Sequence, residues 1–60
     1  MYYVIVREDG MIASRPGSRR SYTSSLFRAR IWRSRQSAER NRCGNERIVD
    51  VMELLDFFAE

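Results

Sequence analysis

Sixty residues make at most one domain, close to the lower size limit for a chain that folds alone. One cysteine and no histidine exclude an internal disulfide and deny a structural zinc ion its usual ligands, while 43% apolar residues with seven aromatics exclude intrinsic disorder. The formal charge is +3, all eleven basic residues are arginine, and no apolar run approaches the roughly 20 residues of a membrane span.

Taken in chain order, Tyr2 to Arg7 is rich in β-branched and aromatic residues and predicts a strand. Asp9-Gly10 is a tight-turn signal, so Met11 to Ser14 is the return strand of a hairpin. Ser14 to Ser21 contains Arg15-Pro16-Gly17-Ser18-Arg19-Arg20 and reads as a mobile basic loop. Thr23 is placed to cap a short helix from Ser24 to about Arg30, with Leu26 and Ala29 on one face. Ile31 and Trp32 end that helix or form a short strand, and a lone tryptophan in so small a chain is expected in the core.

Ser34 opens a second helix, Arg35 to about Arg42, with Gly44 placed beyond its end as a left-handed residue. That helix has little apolar surface, Ala38 and Cys43 being its candidates for the core, and is expected on the outside of the domain. The last segment has two readings. Ile48, Val51, Met52, Leu55 and Phe58 recur at helical spacing, whereas Arg47-Ile48-Val49-Asp50-Val51 is β-rich and suits a third strand beside the hairpin. The favoured expectation is a strand over about 47–53 with a short helical or frayed tail. Residues 1–60 are thus expected to form one α+β domain: a small antiparallel sheet, made of the N-terminal hairpin and a C-terminal strand, with one or two short helices.

The pattern Tyr3-Val4-Ile5, Asp9-Gly10, Tyr22-Thr23, Leu26, Ala29-Arg30, Trp32, Ser34, Ala38-Glu39 and Ile48-Val49-Asp50-Val51 resembles a loose class of short phage and prophage proteins. These carry a hairpin, a T-x-x-L-x-x-A-x-x-W/F-x-S-x-x-x-A-E middle and a valine-rich final strand. The resemblance implies the same α+β fold and implies no catalytic residue. Members of the class with a known role tend to block or redirect a host protein.

Catalysis has little to work with. A nucleophile needs a base in reach, and the chain has no histidine. Cys43 reads as a small buried thiol beside a helix end, and Asp50 with Glu53 reads as a solvated face. The chain is therefore expected to be no enzyme and to hold no metal or cofactor.

Charge is more informative. Residues 1–14 carry −1, residues 15–42 carry nine arginines against Glu39 for +8, and residues 43–60 carry −4. A +8 segment of 28 residues attracts an acidic surface. All-arginine usage fits codon bias and also fits selection for guanidinium forks, and composition does not separate the two.

The expected partner-binding residues are Arg19, Arg20, Tyr22, Arg28, Arg30, Arg33 and Arg35. Pairing of these arginines with the acidic C-terminal segment is the competing expectation. Phe57 and Phe58 are the candidates for self-association, and both a monomer and a homodimer remain open. The partner is expected to be a macromolecule with an acidic surface: a host protein first, with the chain as inhibitor or adaptor, and nucleic acid second. A dimeric structural or assembly component is the third reading. Met1 to Val6 lacks the basic flank and cleavage site of a signal peptide, so the expected location is the cytoplasm, that of the host cell if the chain is phage-encoded.

Overall fold

A computed structural model describes the backbone of residues 1–59 and the side chains of residues 1–55. In chain order it contains β1 (Tyr3–Val6), β2 (Ile12–Ala13), β3 (Tyr22–Thr23), a 3-10 turn (Leu26–Arg28), α1 (Arg35–Asn41), β4 (Arg47–Asp50) and α2 (Val51–Ala59). The strands form one antiparallel sheet in the order β3-β2-β1-β4, and the fold is a small α+β.

Strand β1 runs through the middle, with Val4, Ile5 and Val6 all buried. Alternate side chains point to opposite faces of a strand, so β1 supplies two cores at once. On one face Val4 and Val6 meet Ile12 and Ala29, with Leu26, Val49, Val51 and Leu54 packed around them. On the other, Ile5 meets Trp32 and Ala38, flanked by Tyr3, Ala13 and Ile48. Helix α2 thus covers the first face through Val51 and Leu54, and α1 covers the second through Ala38.

The hairpin between β1 and β2 turns over three residues. Gly10 donates to the Arg7 carbonyl (2.9 Å), Arg7 donates to the Met11 carbonyl (2.7 Å), and Gly10 takes a φ of 87°. That is a type I turn closed by a glycine in the left-handed region. Asp9 stiffens it, accepting from the Met11 N–H (3.0 Å) and from the Arg7 guanidinium (Nε, 3.0 Å). These donors, the guanidinium first, hold the Asp9 carboxyl at about 2.

Beyond Ile12 the two strands part, and residues 28–32 fill the fork. Tyr3 and Trp32 exchange a pair of backbone hydrogen bonds (2.8 Å each), while Arg30 donates to Ala13 (2.9 Å) and Arg15 to Arg28 (3.0 Å). Tyr3 already pairs with Asp50 of β4 and β2 already pairs with β3, so both contacts lie on the inner side. This pairing explains a correction. The helix expected over 24–30 is a single 3-10 turn, because Ala29 and Arg30 are drawn into sheet pairing. Thr23 sits in β3, although its hydroxyl still accepts from the Ser25 N–H (3.1 Å), as a cap would.

Helix α1 begins where expected, with the Ser34 hydroxyl accepting from the Ser37 N–H (3.4 Å), and Gly44 has a φ of 53° beyond its end. Cys43, expected to be buried, is exposed. The strand expected over 47–53 stops at Asp50, and Val51, Met52 and Glu53 are helical. Asp50 makes that boundary: its backbone pairs with Tyr3 while its carboxylate accepts from the Met52 N–H (2.8 Å), capping α2 with no loop between.

Asp50→Ala is accordingly expected to lower stability by about 0.5–2 kcal/mol in urea unfolding, and Asp50→Asn by much less, since asparagine caps equally well. Equal losses in the two variants would place the role of Asp50 elsewhere.

Candidate functional site

Two ion pairs form among the described residues, Arg7 with Asp9 and Arg35 with Glu39. The other nine arginines have no carboxylate partner among the described residues. Two acids are engaged within the fold: Asp50 caps α2, and Glu46 is buried, accepting from the Tyr22 hydroxyl and from the Cys43 N–H (2.9 Å). Arg35 stands in the first turn of α1, where no acid accompanies it. A cation there opposes the helix dipole. Its i,i+4 pair with Glu39 works against that cost.

Four of the expected partner-binding residues come together. The β2–β3 connection and the 3-10 turn form a cleft of about 720 Å³, lined by Arg19, Arg20, Arg28 and Tyr22 and by Ser14, Ser18 and Ser24, with no acid among the described residues of its wall. A smaller hollow of about 310 Å³ shares Ser18 and Arg28 with it and adds Arg15. The connection expected to be a mobile loop is tied at several points. Ser18 donates to the Arg15 carbonyl (3.2 Å) around Pro16-Gly17, with Gly17 at a φ of 85°, the geometry of a type II turn. Ser14 donates to the Ser21 carbonyl (3.0 Å), and the Arg15 guanidinium donates to the Phe27 carbonyl (2.6 Å).

Tyr22 is a wall of the cleft more than a free ring. Its hydroxyl donates to Glu46, and the Arg7 guanidinium lies 4.1 Å from its ring centroid. The hydrogen bond to Glu46, then loss of solvent, raise its pKa above the usual value of 10. Trp32 is buried as expected, with Arg30 stacked 3.9 Å from its ring centroid. Arg33 and Arg35 flank Ser34 at the start of α1 and do not line the cleft.

Phe27 is the residue that sequence reasoning missed. It is 91% exposed, next to Arg28, and its carbonyl holds Arg15. Leu26 packs against the core, and the tight turn sends the following side chain outward. The side chains of Phe57 and Phe58, the candidates for self-association, lie outside the described residues. The described residues contain no cluster of metal-ligating side chains and no helix long and apolar enough to cross a membrane. Compared with known protein families, with curated proteins and with solved structures, the chain matches none.

The Tyr22–Glu46 bond makes a testable contribution. Its raised folded pKa means that the bond stabilises the fold fully below about pH 10 and that this contribution falls away as the pH climbs through the higher folded value. Tyr22→Phe is expected to lower the urea midpoint at pH 7 and to flatten the alkaline loss of stability. A variant with the parent's midpoint and the parent's alkaline profile would remove Tyr22 from this role.

Proposed function

We propose that this chain is a non-enzymatic binding module, phage-encoded, that occupies an acidic surface on a host protein as an inhibitor or adaptor. Its place of action on this reading is the host cytoplasm. The supporting observation is an arginine surface in which nine guanidinium groups have no carboxylate partner among the described residues, while Asp9, Glu46 and Asp50 are engaged within the fold. Phage origin rests on the resemblance carried by the Thr23 to Glu39 pattern and the valine-rich final strand. Absence of catalysis rests on the lack of any histidine to activate a serine or Cys43.

Protein is favoured over nucleic acid because of what the aromatics are doing. Single-strand binders stack bases on exposed rings between basic residues. Tyr22 is held by Glu46 and Arg7, and Trp32 is buried. Phe27, a single exposed ring among arginines, matches the anchor of a protein interface, where a few aromatic and arginine side chains dominate affinity. The cationic cleft supports nucleic-acid binding as a second reading. A dimeric assembly component is the third.

The test is a scan of the exposed residues against the host protein that crosslinks to the chain. Phe27→Ala is expected to weaken that complex by roughly 30-fold or more, with losses at Arg28 next and small effects elsewhere. Near-equal losses at every arginine with Phe27 silent, together with generic DNA binding that falls steeply with salt, would replace this reading with the nucleic-acid one.

A further inference from the structure

The geometry points to a phosphate-monoester site in the cleft between the β2–β3 connection and the 3-10 turn, one that takes a phosphorylated side chain of the protein partner. The inference rests on the reading of the chain as a protein-binding module.

The cleft wall concentrates Arg19, Arg20 and Arg28 around Ser14, Ser18 and Ser24, with no competing acid among the described residues. A carboxylate is satisfied by one planar fork. A phosphate monoester carries close to two charges and three acceptor oxygens, so it suits several guanidinium groups converging with hydroxyl donors. Ser14 borders this wall, and its shielded hydroxyl has no hydrogen-bond partner among the described residues. The surroundings are built before any ligand arrives: the type II turn at Pro16-Gly17 and the Arg15 contact to Phe27 fix both sides. A volume of about 720 Å³ accommodates the phosphoryl group with the residue that bears it.

A phosphodiester backbone fits less well. The hollow lies beside one loop, and the ring within it, Tyr22, has one face against Arg7 and its hydroxyl on Glu46. That leaves a base at most the opposite face of one ring to stack on. Phe27, next to Arg28 and fully solvated, is placed to contact the peptide that carries the phosphate.

The absence of histidine gives the site an unusually clean signature. Guanidinium groups stay charged at any pH that a protein survives, and no side chain of this protein has an ordinary pKa between 5 and 7. A phosphate monoester takes its second charge near pH 6. Affinity that rises between about pH 5 and pH 7 therefore reports the ligand's own titration.

The experiment is a titration of the isotopically labelled chain, followed by backbone and arginine side-chain NMR. The ligands are inorganic phosphate, a phosphoserine peptide, its unphosphorylated form and duplex DNA, at matched ionic strength. Phosphate is expected to shift signals at Ser14, Ser18 to Arg20 and Arg28, and to leave those of α1 in place. The phosphopeptide is expected to bind at least tenfold tighter than the unmodified peptide, and more tightly at pH 7 than at pH 5. Arg19→Ala with Arg20→Ala should abolish both responses, while Arg33→Ala should not.

Shifts spread evenly over all arginines would overturn the site, with binding reduced to an adventitious ion only. A phosphopeptide no better than its unmodified form, or affinity flat from pH 5 to pH 7, would also overturn it. DNA displacing phosphate from the cleft while the phosphopeptide does not would assign the cleft to phosphodiesters instead. If these arms fail while Phe27→Ala still breaks the host complex, the phosphate site falls and the protein-binding reading stands. If both fail, both fall.

Discussion

Everything in this fold is arranged around a strand that has no solvent face. Val4, Ile5 and Val6 are buried in succession, so β1 needs cover above and below, and sixty residues must provide both layers. At the average for globular domains, a chain of this length has roughly 3–9 kcal/mol of net stability, no more than one or two core truncations. The fork filled by residues 28–32 is part of the solution. It brings Ala29 to one face and Trp32 to the other with a single extended segment, which is economical in a chain that cannot add a disulfide.

That economy decides where the charges go. Asp9 is engaged with Arg7 and the hairpin turn, Asp50 with the start of α2, and Glu46 with Tyr22 and the Cys43 amide. Each carboxylate satisfies a backbone donor, which makes it part of the fold rather than a counter-charge for the basic middle. Apart from Arg35, the arginines between residues 15 and 42 therefore have no carboxylate partner among the described residues, and three of them line one cleft with no acid among its described wall residues. Bringing like charges together raises the free energy of the isolated chain, and binding an anion relieves it.

Much of this was legible in the residues, and the failures have physical causes. The hairpin, the Ser34 cap and the burial of Trp32 follow from local chemistry and are where they were expected. Strand β3 was not legible, because two residues in a serine- and arginine-rich stretch have no periodicity, and their pairing with Ile12 and Ala13 is long-range. The final segment carried two true signals that overlap at one residue: strand up to Asp50, helix from Val51. Cys43 was expected inside on the strength of its hydrophobicity. The buried residue of this stretch is Glu46, bonded to both Tyr22 and the Cys43 amide. Charge found Arg19, Arg20 and Arg28, but no pattern in the chain revealed that Tyr22 is held internally or that Phe27 stands exposed beside Arg28.

The central claim is that the basic surface is uncompensated within the folded chain, and the salt dependence of its stability tests this most directly. Chloride salt screens repulsion between exposed like charges once the Debye length drops to about 10 Å near 0.1 M. Urea unfolding from 10 mM to 500 mM sodium chloride should show a midpoint that rises with salt. A midpoint that falls across that range would mean the arginines are held by internal ion pairs, and the case for a partner built on free guanidinium groups would fail with it.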